Sequence, residues 1–150
     1  MEYIENLQLK QAFDFIQYTG KNIFLTGITG FLGSFLAVEL LKRGYAVYGL
    51  ARGKGGKSAK ERVDEILRVL CEDESNKEVI LSRLVVVEGD VIYPDLGIHQ
   101  LAERNFLHRN IHVIYHCAGL AEFKVPIEKI RKVNVDGTRH VLNFALDCCR

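Results

Sequence analysis

The sequence predicts an α/β fold, with a doubly wound parallel sheet ending after about four strands. Three observations carry this. Short apolar runs rich in β-branched and aromatic residues recur along the chain: NIFLT, YAVYGLA, RLVVVEGD and HVIYHCAG. A segment of helical periodicity follows each of them. The order β-α-β-α-β-α-β-α then places helices on both faces of a parallel sheet, and right-handed crossovers leave few topologies for it.

Each element has a local reason. Residues 1–20 have apolar positions Leu9, Ala12, Phe13 and Ile16 at helical spacing, which predicts a lead-in helix ended by Gly20. NIFLT is a buried strand. FLGSFLAVELLKR is a mostly apolar helix, with Lys42 and Arg43 at its negative end and Gly44 placed to terminate it. YAVYGLA is the second strand, and RGKGGKS is a basic glycine-rich loop. Ser58 and Glu61 are spaced as a capping box, starting a helix to about Cys71 with Val63, Ile66, Leu67 and Leu70 on one face. EDESNKE is a surface turn, RLVVVEGD the third strand, and YPDLG a turn started by Pro94. A helix around Leu101 to Leu107 leads to HVIYHCAG, and Pro126 sits in the first turn of a last helix running toward Asp147.

Composition excludes several classes. Hydrophobic residues make up 48% of the 150 and charged residues 26%, ordinary values for a globular domain. A net charge of +1 argues against bulk nucleic-acid or membrane-surface binding. The run Ile23 to Val38 is too short and too polar to span a bilayer, and no secretory signal is visible. Cys71, Cys117, Cys148 and Cys149 form no C-x-x-C and no zinc pattern, so reduced thiols in a cytoplasmic setting are expected, with no metal. His112 and His116 lie four apart, but on a strand this is not a metal pair.

Gly27, Gly30 and Gly33 stand three apart at the junction of the first strand and first helix. One glycine makes the tight turn, one lets a pyrophosphate approach the backbone, and one allows close packing, while the helix N-terminus offers free N–H groups. The doubly wound fold is thereby read as dinucleotide-binding, of the Rossmann type, over residues 21–150.

The spacing T-G-x-x-G-x-x-G, from Thr26 to Gly33, resembles the extended short-chain dehydrogenase/reductase superfamily. EGDV at Glu88 to Val91, HCAG at His116 to Gly119 and NVDGT at Asn134 to Thr138 extend the resemblance. TGITGFLGSFLAVELLKRG, RLVVVEGDVIYPDLGI, IYHCAGLAEFKVPIEKIRKVNVDGT and the helical insert Ser58 to Leu81 are similar to its thioester reductase and fatty acyl-CoA reductase branch. That resemblance implies an NADPH-dependent reduction of an acyl thioester, on coenzyme A or a carrier protein, to aldehyde or alcohol. It implies cofactor contacts at Thr26, Gly27, Thr29, Gly30, Phe31, Leu32 and Gly33, at Asp90 and Val91 for the adenine, and at Cys117, Ala118 and Gly119 for the ribose and nicotinamide side. It gives Asn134 a part in the active site.

The second strand leads into GLARGKGGK, where an acidic residue would select NAD. Arg52 is the candidate for the 2′-phosphate of NADP, helped by Lys54 and Lys57, because a guanidinium binds phosphate bidentately. NAD is thus the less favoured cofactor. The superfamily's proton-transfer pair, Y-x-x-x-K, is absent: no Lys follows Tyr3, Tyr18, Tyr45, Tyr48, Tyr93 or Tyr115 by four. The resemblance therefore covers the cofactor half, and the chain by itself is expected to be inactive. Cys117 has no neighbour that would make it a nucleophile. A nucleotide-sugar epimerase or dehydratase shares the glycine spacing, and a non-catalytic dinucleotide-binding module would tolerate the missing pair. An unpaired fourth strand would invite self-association through the sheet edge.

Overall fold

The computed structural model describes residues 22–72, 75–122 and 124–148; the expected lead-in helix at 1–20 lies outside these, as does Cys149. Four strands, β1 (Asn22–Thr26), β2 (Ala46–Ala51), β3 (Leu84–Glu88) and β4 (Val113–His116), pair in parallel in the order β3-β2-β1-β4. The helices are α1 (Phe31–Lys42), α2 (Ala59–Leu70), α3 (Lys77–Leu81), α4 (Leu101–Asn110), α5 (Ile127–Arg131) and α6 (Gly137–Cys148). The predicted doubly wound α/β class is therefore the observed one.

Side-chain alternation along the strands builds two cores. Ile23, Leu25 and Val47 pack with Ala37, Leu40 and Leu41 of α1 and Val63 and Leu67 of α2. Phe24, Leu50 and Val87 point the other way, onto Leu107 of α4 and Val141 and Phe144 of α6. The rings of Phe24 and Phe144 stack with centroids 5.0 Å apart. β1 has core on both faces, which is why Ile23, Phe24 and Leu25 are apolar in succession.

Local signals act as read. Gly44, at φ +86°, ends α1 as a Schellman motif: its N–H donates to the Leu41 carbonyl and that of Tyr45 to Leu40. Ser58 and Glu61 form the capping box of α2 in both directions. In the basic loop, Lys54 and Lys57 exchange backbone hydrogen bonds around Gly55 and Gly56, both at positive φ.

Two segments depart from the reading. The YPDLG turn is left-handed: Asp95 and Leu96 adopt φ of 51° and 57°, followed by Gly97 at 65°. Leu96 is fully buried and its carbonyl accepts from the Asp90 N–H at 2.8 Å, so tertiary packing holds a backbone that sequence disfavours. The last helix is not continuous either. Pro126 stands just before α5, and a π-helical turn, Lys132–Asp136, separates α5 from α6.

The chain passes from β1 through β2 to β3 on one side, then returns to place β4 on the other side of β1. A crevice opens at the C-terminal ends of β1 and β4, the place where such sheets carry ligands. Among the described residues β4 pairs only with β1, leaving its far edge open.

Candidate functional site

A cleft of about 500 Å³ lies at that crossing point. Its walls include Gly27, Thr29 and Gly30 from the turn after β1, Arg52 and Lys54 after β2, Asp90 and Val91 after β3, and Cys117, Ala118 and Gly119 after β4. Four segments far apart in sequence thus converge through sheet topology alone.

The glycine turn depends on missing side chains. Gly27 has φ +73°, and a Cβ there would lie 2.5 Å from the Ala118 nitrogen. A Cβ on Gly33 would lie 2.2 Å from the Gly27 carbonyl oxygen. It is therefore Gly27 that lets the end of β4 come close, while Gly33 seats α1 on the turn itself. Gly30, the exposed N-cap, offers no side chain to the first-turn N–H groups of α1. A turn that carries no side chain here and opens on a helix N-terminus suits a diphosphate.

The other sequence candidates fall around rather than in the cleft. Thr26 is fully buried beneath the turn. Phe31 and Leu32 are 85% and 66% exposed on the first turn of α1, and the Phe31 ring contacts Phe35. The Lys57 ammonium is held by Glu65 at 2.7 Å, away from the cleft, whereas Lys54 lines it. Asn134 sits in the π turn, where its side chain donates to and accepts from the Leu120 backbone, at 3.0 and 2.8 Å.

At the mouth, the Arg52 guanidinium reaches the Asp90 carboxylate at 2.6 Å. Asp90 is well covered, its other oxygen accepting from the Ile92 N–H, while Arg52 remains largely in solvent. Arg62 was not expected here. Its guanidinium donates to the Arg52 carbonyl at 2.5 Å and lies 3.5 Å from the Thr29 hydroxyl, bridging two walls. The one sequence signal for it is a cation in the first turns of a helix, where the dipole disfavours positive charge. Leu120, Glu122, Lys129 and Lys132 also line the cleft and were likewise not foreseen.

Burial pushes the Cys117 thiol above its usual range, which favours the protonated form over the thiolate. Burial pushes the His116 imidazole below its ordinary value, favouring the neutral ring. Among the described residues no acidic, His and Cys side chains cluster as a metal site, and no helix is long and apolar enough to cross a membrane.

Comparison with known proteins agrees with this geometry. The NAD-binding family described as Male sterility protein matches residues 25–150. Fatty acyl-CoA reductase 1 of Mus musculus is 33% identical over 133 residues, covering 85% of this chain and 26% of that protein. The human fatty acyl-CoA reductase 1 is 30% identical with the same coverage. The terminal R domain of the myxalamid PKS-NRPS pathway superposes with a TM-score of 0.71 at 36% identity, over 85% of this chain and 32% of that one. A thiolation-reductase di-domain from an archaeal non-ribosomal peptide synthetase gives 0.66 at 29%, over 85% and 26%. The chain spans about a quarter of the length of the fatty acyl-CoA reductases it matches. With its glycine turn, cleft and sheet order, it belongs to the male sterility protein family of NAD(P)-binding domains.

Proposed function

We propose that this chain is the NADPH-binding portion of a reductase that acts on acyl thioesters, carried on coenzyme A or a carrier protein. The observation that supports it most is the convergence of Gly27, Thr29 and Gly30 with Arg52, Asp90 and Ala118 on one cleft. In this reading the N–H groups at the start of α1 hold the pyrophosphate. Val91 and Asp90 border the adenine, and Cys117 to Gly119 border the ribose next to the nicotinamide. Arg52, with Lys54 and Arg62, supplies positive charge for a 2′-phosphate that a carboxylate at the same place would repel. NADPH, when bound, supplies hydride. The residues of this chain bind and orient it, and Asn134 holds the Leu120 segment that borders the cleft.

The acyl thioester reading draws on the fatty acyl-CoA reductases and R domains that the chain resembles. The sequence has no Y-x-x-x-K, the pair to which the resemblance assigns proton transfer in such a reaction. Calorimetric titration of the chain with NADPH and, separately, with NADH tests the cofactor reading. Binding of NADPH at least ~10-fold tighter than NADH is expected from a charge-assisted pair at the 2′-phosphate. Equal affinities would remove Arg52 from the site and favour the epimerase-like alternative.

A further inference from the structure

Beneath the cleft runs a chain of hydrogen bonds that the cofactor contacts do not account for. The Ala118 N–H donates to Thr26 Oγ1 at 3.3 Å. Thr26 Oγ1 lies 2.7 Å from His116 Nδ1, and His116 Nε2 lies 3.2 Å from Thr138 Oγ1. The Thr138 hydroxyl donates to the Asn134 carbonyl at 2.7 Å. These groups come from the end of β1, the end of β4, the π turn and α6.

The two hydroxyls dictate the ring's protonation. Thr138 spends its one proton on the Asn134 carbonyl, so its oxygen can only accept from His116, and Nε2 must carry hydrogen. Thr26 is fully buried and its oxygen takes the Ala118 N–H, so the arrangement that leaves its own buried proton paired sends that proton to Nδ1, which is then bare. Every donor then meets an acceptor in one direction, from Ala118 to Asn134. A proton added at Nδ1 would turn the Thr26 hydroxyl away from its acceptor. Neither hydrogen-bond partner of the ring is charged, and burial of the site also favours the neutral form.

We propose that His116 is a positioning residue: its neutral imidazole, protonated on Nε2, ties the Gly27 turn, the Cys117–Gly119 segment and the Asn134 turn into one geometry. The idea rests on the reading of the cleft as a dinucleotide site. Thr26 precedes Gly27 directly, Cys117 follows His116, and Asn134 grips Leu120 from the far side. The ring therefore sets the spacing between the glycine turn and the Cys117–Gly119 segment, which stand side by side on one wall of the cleft.

The test uses the 150-residue chain. Nitrogen-15 spectra of the His116 ring at pH 7.5 should show an Nε2–H tautomer with Nδ1 unprotonated. Thr138→Val removes the far link without altering any group that lines the cleft. It should shift the Gly27 and Ala118 amide signals and weaken NADPH binding by the folded protein about 3–10-fold, as expected for one lost buried hydrogen bond. His116→Asn, which keeps an acceptor for Thr26 and cannot reach Thr138, should match Thr138→Val. His116→Leu, which leaves both hydroxyls orphaned, should be worse than either. An Nδ1–H tautomer or an imidazolium at pH 7.5 would overturn the proposal. So would a Thr138→Val effect that stops at α6, or unchanged NADPH affinity in both Thr138→Val and His116→Asn. If the unsubstituted chain binds no NADPH, the function reading fails, and the tautomer and the reach of the amide shifts still decide the role of His116.

Discussion

The two walls of the cleft are built on different physical terms. On the β1–β4 side, Thr26, Gly27, His116 and Ala118 touch one another's backbones and share short hydrogen bonds under cover. On the β2–β3 side, Arg52, Lys54 and Arg62 carry charge on longer side chains, and Arg52 reaches from solvent to the covered Asp90 carboxylate. The first wall is steric and tolerates no added atom at Gly27 or Gly33. The second is electrostatic and can exchange partners, as Arg52 would in trading Asp90 for a phosphate. In the proposed reading, shape is set on one side, and selectivity between cofactors on the other.

The largest effect is expected on the steric wall. Gly27→Ala and Gly33→Ala should each lower unfolding free energy by roughly 2–4 kcal/mol, since the new Cβ meets backbone that cannot step aside. Urea denaturation measures this, and NADPH binding should vanish with it. On the electrostatic wall, Arg52→Ala should leave stability nearly unchanged, because the guanidinium itself lies largely in solvent. It should raise the NADPH Kd by about 10–100-fold and the NADH Kd by less than about 3-fold in parallel calorimetric titrations.

A smaller effect separates the walls by pH. The His116 imidazole titrates below its ordinary value of 6.5 because it is buried. The unfolded chain therefore takes up the proton first, and stability present above about pH 6.5 declines as pH falls through the folded value. The urea midpoint should drop between pH 7.5 and 5.5 by more in the unsubstituted chain than in His116→Asn. The smallest effect belongs to Lys57→Ala. With that ammonium on Glu65, NADPH affinity should stay within about 2-fold, whereas Lys54→Ala should weaken it measurably.

The steric wall was the more legible in sequence. Glycine spacing, the Gly44 stop and the Ser58–Glu61 cap are local codes, each satisfied within a few residues of itself. The glycine roles were legible as a set but not individually, because only the fold shows that Gly27 faces Ala118. The charged wall was legible in type and less so in membership. Arg62 arrives on a helix ten residues past Arg52, and the Gly55–Gly56 turn decides that Lys54 and not Lys57 faces the cleft. The left-handed turn at Asp95 and Leu96 answers to the burial of Leu96 in the core, and the π turn at Asn134 to the Leu120 backbone. No local propensity announces either. Self-association through the open edge of β4 remains a proposal, and sedimentation at high concentration tests it: a concentration-dependent rise in mass is expected, and a constant monomer mass would refute it.

The most direct measurement is an amide spectrum of the chain titrated with NADPH. Shifts concentrated at Gly27 to Gly33, Arg52 to Lys54, Asp90 to Ile92 and Cys117 to Leu120 are the expected result. A second cavity, of about 430 Å³, lies between α4 and α6 at Asn105, His108, Arg109 and Asp147. Shifts gathered there, or none anywhere at saturating NADPH, would contradict the assignment of the cleft.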